Sequence, residues 1–393
     1  MATNKIRVFR EVKLDENDPS KVTLSFTFEN APLFMFDEDL VNRISEDIGK
    51  EIINKYNPKP KPKGIPLITT LERQVQQSII GQNQQVRQII TAIYRAKLFK
   101  DIKANVLILG KSGTGKTETI KQIANKLNLP YTIEDATKYT QEGYVGASVT
   151  DMIYNLIDNA NLDIERAQQG IIVIDEIDKK HGNENIWGPD VSGGEVLKSL
   201  LKMIEGTTIK VPNPQKPFGP DIDFSTENLI IFFSGAFSGL EEIKNRKEKT
   251  PLGFGGGDVS ETSKSKETKV LKQYLIEYGM PEEFVGRIDT IISMNDLNKE
   301  DLITILKKSN LSVFKKYKTA LNKRGIALEY DEKLFELIAE EALNLDTGAR
   351  ELSNVVNYMF EEIAYKTIAN PRKYTKCKLF LDIVNDNTKY KLS

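Results

Sequence analysis

Cysteine and histidine are almost absent from this chain, which has one of each, Cys377 and His181, in 393 residues. A single cysteine excludes an intrachain disulfide, and the two residues together are too few for a zinc site built from cysteine and histidine. No apolar run approaches the roughly 18 residues of a membrane-spanning helix, and the N-terminus lacks the apolar segment of a secretory signal peptide. These absences predict a cytoplasmic protein with no structural metal and no membrane partner.

An excess of charge of either sign is also missing. The chain has 55 Lys and Arg residues against 56 Asp and Glu residues, a net charge of −1 and a pI of about 6.2. Nucleic-acid-binding proteins usually carry a basic excess, so the overall composition does not indicate DNA or RNA as a partner. A length of 393 residues exceeds what one hydrophobic core usually serves, so two or three domains are expected.

The first part of the chain predicts a small α+β domain followed by a spacer. Apolar and polar residues alternate over residues 22–28, the pattern of a half-buried strand that could pair with residues 6–12. Residues 37–56 have the apolar spacing of an amphipathic helix. Prolines interleaved with lysines in residues 57–64 favour an extended, solvated spacer. We therefore predict a domain boundary after residue 63.

The middle of the chain predicts an α/β fold with a parallel sheet. Short runs rich in Val, Ile and Leu at residues 105–109, 171–174 and 229–233 alternate with helical stretches. This alternation is typical of a parallel sheet with helices on both faces. Residues 211–221 and 245–269 interrupt the pattern, and their composition predicts long, mobile loops.

The last part of the chain predicts a separate, mostly helical domain. It begins after Asp296 and contains strand-like segments only at residues 326–330 and 376–383. The predicted domains are residues 1–63, 64–294 and 295–393.

A glycine-rich segment, residues 110–117, lies between the apolar run at residues 105–109 and a helical stretch. It satisfies the Walker A pattern GxxxxGK[ST], in which glycines let backbone N–H groups curl around a phosphate. Lys116 would contact the β- and γ-phosphates of ATP, and Thr117 would bind Mg²⁺ at a helix N-terminus. The strand before it and the helix after it favour this interpretation over a plain glycine turn. The predicted cofactor-binding residues here are Gly110, Lys111, Ser112, Gly113, Thr114, Gly115, Lys116, Thr117 and Glu118.

A second apolar strand ends in two carboxylates, Asp175 and Glu176. Two acids after a strand can simply cap a helix, but beside a phosphate-binding loop they indicate a Walker B motif. Asp175 would then hold Mg²⁺ through its waters, and Glu176 would orient and polarise the attacking water. The two motifs together predict an ATPase that uses ATP and Mg²⁺.

Residues 143–146, Gly-Tyr-Val-Gly, resemble the pore loop of ClpX and HslU, two families of AAA+ unfoldases that thread protein through a hexameric ring. Glycines on both sides allow a mobile loop, and Tyr144 and Val145 could grip any polypeptide through apolar contact. Alone, such a tetrapeptide is more often a surface turn. Similarity to ClpX extends from about residue 79 to residue 383. The stretch between the pore-loop motif and Asp175 is too short for the inserted domain of HslU.

Resemblance to the ClpX family implies further site residues. Ile79 and Ile80 would line the adenine pocket, and Ser234 would occupy the sensor-1 region. Arg287, in Pro-Glu-Glu-Phe-Val-Gly-Arg, would be an arginine finger that contacts the γ-phosphate of a neighbouring subunit. Arg350, in Thr-Gly-Ala-Arg, would be sensor 2. Without this resemblance, Arg287 would be taken for an ordinary surface arginine and Arg350 for half of an ion pair on a helix.

The same resemblance implies a protease partner. In ClpX, a loop at a similar position docks an Ile-Gly-Phe tripeptide into apolar clefts of ClpP, and Leu252, Gly253 and Phe254 are chemically close to it. An apolar residue and an aromatic on a tether can fill small pockets, and repeated weak contacts around a ring add up. A glycine-rich loop whose Phe254 packs on its own domain is the alternative.

Three departures from the ClpX pattern limit what the resemblance implies. The family begins with a four-cysteine zinc domain, and residues 1–63 have no cysteine. Its basic Arg-Lys-His loop near the pore entrance is replaced here by the proline-rich residues 211–221. Glu351 and Ser353 stand where Gly and Arg are usual. Adaptors and substrate tags of the family therefore do not carry over.

The sequence as a whole predicts a ring-forming, hexameric unfoldase that threads protein substrates and delivers them to a ClpP-type protease. A stand-alone remodeller of a specific protein complex is a second hypothesis. A DNA-associated AAA+ motor is a third, and the balanced charge and the aromatic Tyr144 argue against it. A nucleotide-switched scaffold is disfavoured because Glu176 and Arg287 are both present.

Overall fold

The computed structural model describes most of the chain, in two compact units, Met1–Ile65 and Pro66–Ser393. The described residues are 7–14, 22–29, 66–99, 102–138, 149–181, 184–185, 200–213, 220–249, 263–344, 348–370, 372–382 and 387–393.

The smaller unit contains a two-stranded antiparallel hairpin. Strand β1 (Arg7–Leu14) pairs with β2 (Val22–Glu29) over their whole length, from Arg7 opposite Glu29 to Leu14 opposite Val22. The predicted pairing of these two segments is confirmed. The helix predicted for residues 37–56 and the spacer that follows lie outside the described residues.

In the larger unit, strands and helices first alternate and helices then predominate. Its strands are β3 (Ala104–Leu109), β4 (Tyr131–Asp135), β5 (Ile171–Asp175), β6 (Lys180–His181), β7 (Glu184–Asn185), β8 (Thr208–Val211), β9 (Ile222–Ser225), β10 (Ile230–Gly235), β11 (Thr290–Ser293), β12 (Ala327–Tyr330), β13 (Lys376–Asp382) and β14 (Asn387–Leu392). Its helices are α1 (Ile68–Gln76), α2 (Asn83–Leu98), α3 (Lys116–Leu127), α4 (Val149–Asn159), α5 (Ile164–Ala167), α6 (Leu240–Lys249), α7 (Ser263–Tyr278), α8 (Glu282–Gly286), α9 (Lys299–Lys307), α10 (Val313–Lys323), α11 (Lys333–Asn344) and α12 (Ala349–Ala369), and residues 200–205 are also helical.

A five-stranded parallel sheet forms the centre of this unit, in the order β11-β3-β10-β5-β4. Every residue of β3 and β10 is buried, which explains why these segments are mostly apolar, with Asn105 and Ser234 as the polar exceptions. The edge strand β4 mixes buried and exposed residues. The predicted α/β fold with a parallel sheet is confirmed.

Two apolar layers cover the two faces of the sheet. Successive residues of a strand point to opposite faces, so Leu107 joins the layer that contains α4, while Val106 joins the layer that contains α2 and α3. Because helices cover both faces, the polar groups that follow the strands are left at the edges of the sheet. The predicted nucleotide-binding segments lie at the edge formed by the carboxyl ends of the strands.

The C-terminal part of the unit is a helical bundle with a small sheet. Helices α9 to α12 enclose an apolar core in which the ring of Phe314 contacts those of Phe335 and Phe360. Strand β13 lies between β12, which is parallel to it, and β14, which is antiparallel. The mostly helical character is confirmed, whereas β14 was not predicted because its alternating Lys, Thr and Tyr carry little apolar signal.

The structure also corrects the extent of the predicted loops. Helix α6 continues to Lys249 and α7 begins at Ser263, so a loop over all of residues 245–269 is wrong at both ends. Both ends are rich in Lys and Glu, which favour a helix even where there is no apolar stripe. The proline-rich segment is flanked by the antiparallel pair β8 and β9. None of the described helices is long and apolar enough to cross a membrane.

Candidate nucleotide-binding site

A cavity of about 790 Å³ opens beyond the carboxyl ends of β3 and β5. It is lined by the Walker A loop, by the end of the Walker B strand and by residues of α10 and α12 from the helical part. Parallel α/β sheets bind ligands in the crevice outside the carboxyl ends of their strands. The volume falls within the usual range of ligand sites, about 300–1,000 Å³.

The Walker A loop has a backbone that depends on its glycines. Gly110, Gly113 and Gly115 have φ angles of +149°, +76° and +92°, which residues with a side chain rarely adopt. Helix α3 begins directly afterwards, at Lys116, so its unpaired N–H groups face the cavity. The loop therefore has the form expected of a phosphate-binding site, a concavity at a helix N-terminus.

Lys116 is held against this loop. Its ammonium group donates hydrogen bonds to the carbonyls of Gly110, at 2.5 Å, and Lys111, at 2.9 Å. Burial lowers the pKa of Lys116, and the nearby Arg350 lowers it further, while Asp175 raises it. Lys116 and, from α12, Arg350 thus bring two cationic side chains to one cavity, which suits a polyphosphate.

The Asp175 carboxylate accepts hydrogen bonds from three residues, each of which lies on or follows a different strand of the central sheet. Its Oδ2 accepts a hydrogen bond of 2.7 Å from the hydroxyl of Thr117, which follows β3. Its Oδ1 accepts one of 2.6 Å from the hydroxyl of Ser234 on β10 and one of 2.9 Å from the backbone N–H of Glu176. An adjacent hydroxyl and carboxylate are the oxygen ligands that Mg²⁺ prefers, so Thr117 and Asp175 fit this ion.

Glu176 leaves the strand with a left-handed backbone, at φ +59°. This conformation is uncommon for a residue with a side chain, and such strain is concentrated at functional sites. The carboxylate lines the cavity and pairs with the ammonium of Lys179 at 2.7 Å. The hydrogen bond to Glu176 raises the pKa of Lys179.

The predicted adenine side of the cavity is formed where the two parts of the unit meet. Ile79 and Ile80 line it together with Leu311 of the helical part. The hydroxyl of Ser309 donates a hydrogen bond of 2.6 Å to the carbonyl of Ser78, within the same wall. An apolar wall of this kind suits a flat aromatic base.

Helix α12 reaches the Walker A loop through its first residues. The backbone N–H of Ala349 donates a hydrogen bond of 3.2 Å to the carbonyl of Gly113. Gly348 has a φ of +59°, and a Cβ there would lie 3.2 Å from the same carbonyl. Arg350 follows and lines the cavity. The helical part is therefore in direct contact with the phosphate-binding loop.

Two residues that shape the site were missed as site residues by sequence reasoning. Asp178 accepts a hydrogen bond of 2.7 Å from the backbone N–H of Phe237, and a side chain at Gly235 would collide with its carboxylate. Gln82 is fully buried and exchanges hydrogen bonds of 2.8 and 3.0 Å with the backbone of Asn295. Both residues lie within the region that resembles ClpX, and this resemblance is the sequence signal that could have identified them.

Arg287 lies away from this cavity. Its carbonyl accepts a hydrogen bond of 3.3 Å from the side chain of Asn105, near the start of β3. Gly110 of the Walker A loop follows the other end of that strand, and five residues at about 3.3 Å each separate the two by about 16 Å. Arg287 is thus on the opposite edge of the sheet from the cavity of its own subunit.

The remaining predicted site residues lie outside the described part of the chain. These are the pore-loop residues Tyr144 and Val145 and the docking residues Leu252, Gly253 and Phe254. Their roles stay predictions. Ser112, Thr114 and Glu118 line the cavity, as predicted for nucleotide-binding residues, and Lys111 pairs with Asp296 at 3.1 Å.

Known proteins match both parts of the larger unit. The family model described as AAA domain (Cdc48 subfamily) matches residues 101–291, and that of the C-terminal, D2-small domain of ClpB protein matches residues 297–373.

Whole proteins match over most of this chain and most of their own length. The ATP-dependent Clp protease ATP-binding subunit ClpX of Treponema denticola is 34% identical over 343 residues, 81% of this chain and 82% of that protein. The protein of the same name from Borrelia duttonii is also 34% identical, over 83% of this chain and 80% of that protein. ClpX 2 of Wolinella succinogenes is 31% identical over 84% of this chain and 82% of that protein.

Proposed function

The chain belongs to the ClpX family of AAA+ ATPases, and from this we propose that it is a ring-forming, Mg²⁺-dependent protein unfoldase. The observation that best supports a motor is the contact of Ala349 with Gly113, because it joins the helical part to the loop that would hold the phosphates. Loss of the γ-phosphate would then change the angle between the two parts.

The geometry supports distinct roles for the residues around the phosphates. Lys116 and Arg350 provide positive charge for the β- and γ-phosphates, and Glu176 would orient and polarise the attacking water. Thr117 and Asp175 would hold Mg²⁺, which neutralises phosphate charge when bound. Ser234 would keep the Asp175 carboxylate in its orientation through their hydrogen bond.

The position of Arg287 supports a shared active site. Because it lies at the far edge of its own sheet, it would act on the nucleotide of a neighbouring subunit, and this requires a ring of copies. We propose a hexamer. The proposed functional domains are residues 64–294 and 295–393, preceded by a distinct N-terminal domain of residues 1–63, and the proposed location is the cytoplasm.

The proposed unfolding function is tested with a variant that should still hydrolyse ATP but should unfold a substrate protein more slowly. Tyr144→Ala should keep ATP hydrolysis while the unfolding rate of a stable, tagged fluorescent protein falls by at least about tenfold, since the ring would lose an apolar grip. Tyr154→Ala on α4 is the matched control, because this tyrosine is 41% exposed but lies outside the proposed pore segment. Unchanged unfolding by Tyr144→Ala would contradict the pore role.

The protease link is a finer proposal with its own test. Replacing Leu252 and Phe254 with Ser should leave hydrolysis and unfolding intact and abolish degradation by ClpP of the same organism. Thr250→Ser in the same segment is the control. If the wild-type protein does not associate with ClpP in the presence of ATP, the stand-alone remodeller becomes the better hypothesis.

A further inference from the structure

The guanidinium of Arg287 is held by two glutamates of its own subunit. Its Nε donates a hydrogen bond of 2.9 Å to Oε1 of Glu205, and its Nη2 donates to the same oxygen. Nη2 also lies 3.2 Å from the carboxylate of Glu283, and Nη1 donates to the Glu283 carbonyl at 2.9 Å. The hydrogen bond to Glu205 is the largest of the effects that raise the pKa of Arg287.

The backbones of Arg287 and of Ile204, which directly precedes Glu205, are anchored to the start of the same strand. The side-chain amide of Asn105 donates to the carbonyls of Arg287, at 3.3 Å, and of Ile204, at 3.4 Å. The ammonium of Lys103 donates to the carbonyls of Met203 and Ile204 at 3.1 and 2.8 Å. Glu205 is therefore presented to Arg287 from a helix end that is fastened to the start of β3.

These contacts orient the guanidinium of Arg287 but leave part of it exposed. Arginine has five N–H donors, and Glu205 engages the edge formed by Nε and Nη2. Nη1 carries two N–H groups and makes one hydrogen bond, to a carbonyl, among the described residues. The Arg287 side chain remains 29% exposed. The arrangement keeps the Nη1 end available for an anion from outside the subunit.

We propose that Glu205 is a positioning residue for Arg287, holding its guanidinium ready for the γ-phosphate bound by the neighbouring subunit. The inference rests on the trans role of Arg287 in the proposed function. A free arginine side chain loses rotamer entropy when it is ordered, so ordering it before the reaction removes this cost from the transition state. Fixed donors aimed at developing charge are also the most effective kind of electrostatic catalysis.

The experiment measures steady-state ATP hydrolysis by assembled Glu205→Ala, Glu205→Gln, Arg287→Ala and the Glu205→Ala/Arg287→Ala double variant. Glu205→Ala should lower kcat about ten- to hundredfold with little change in KM, because each subunit binds ATP through its own Walker A loop. Glu205→Gln keeps an acceptor oxygen and should lose only about threefold. Glu282→Ala, an exposed acid of α8 that makes no pair with Arg287 among the described contacts, should hydrolyse ATP normally.

The double variant separates positioning from a structural role. If Glu205 acts through Arg287, the double variant should be no slower than Arg287→Ala alone, whereas two independent losses would multiply. An additive loss, or a normal rate for both Glu205 variants, would overturn the positioning role while leaving the proposed function intact. Normal hydrolysis by Arg287→Ala would instead remove the trans role on which the inference rests.

Assembly of each variant is checked by gel filtration with ATP. If Glu205→Ala does not assemble, the comparison is made with Glu205→Gln alone and in combination with Arg287→Ala. In that case a wild-type rate for Glu205→Gln would overturn the positioning role.

Discussion

The hydroxyl of Thr117 donates a hydrogen bond of 2.7 Å to the carboxylate of Asp175, although 58 positions separate the two residues in the chain. The contact joins the first turn of α3 to the end of β5, although β10 lies between β3 and β5 in the sheet. Both oxygens are ligands suited to Mg²⁺, so their proximity supports the proposed Mg²⁺ site.

Glu176→Gln should bind ATP almost normally and lower turnover by about 10²–10⁴-fold, because the amide cannot accept a proton from the attacking water. Fluorescent-nucleotide binding and phosphate release measure the two effects separately. Glu165→Gln, which replaces an exposed glutamate of α5 that does not line the cavity, is the control and should retain turnover. Hydrolysis by Glu176→Gln at close to the wild-type rate would refute the assignment of the catalytic base.

Ser234→Ala should lower kcat about tenfold, since a hydrogen bond to a charged group contributes about 1.5–3 kcal/mol and Asp175 would lose one of those that orient it. Ser234→Thr keeps the hydroxyl on a strand that accepts β-branched residues, so it should retain more activity than the alanine variant. Equal rates for alanine and threonine would show that the hydroxyl has no part in hydrolysis.

Gly348→Ala should weaken ATP binding by about tenfold, because an alanine in this glycine-only conformation costs about 1–3 kcal/mol unless α12 moves away from the loop. Gly325→Ala is a matched control. It also has a positive φ, +78°, but an added Cβ there would meet nothing within 4 Å. Nucleotide titration of both variants measures the difference, and equal affinities would contradict a role for the contact with Gly113.

Lys103 gives a pH-dependent prediction. Burial lowers its pKa from 10.5 to about 8, so between these pH values the unfolded chain binds more protons at this residue than the folded chain. Stability contributed through Lys103 should therefore rise as the pH increases from 8 to 10. Urea-induced unfolding of the wild type and of Lys103→Met at several pH values measures this.

The difference between the two urea midpoints should shift in favour of the wild type at higher pH. Lys97, whose pKa burial also lowers to about 8, is present in both proteins and cancels. Lys126→Met, at an exposed position of α3, is the control. A difference that stays constant from pH 7 to pH 10 would contradict the prediction.

The strands and the helix start that border the cavity were predictable because their signals are local. An apolar strand, a glycine-rich loop and a helix start within residues 104–117 leave few alternatives, and the strand ending in Asp175 is similarly compact. Strand β14 and the helical ends of residues 245–269 were missed because their polar residues show no periodic apolar pattern.

The sequence by itself determined the α/β fold class, the phosphate-binding loop and the pair of acids, since each depends on residues that are neighbours in the chain. Only the tertiary structure decided that Ser234 contacts Asp175, that Gly348 lies against Gly113 and that Glu205 holds Arg287. These contacts join residues 59 to 235 positions apart, and strand order and helix docking, rather than local spacing, bring them together.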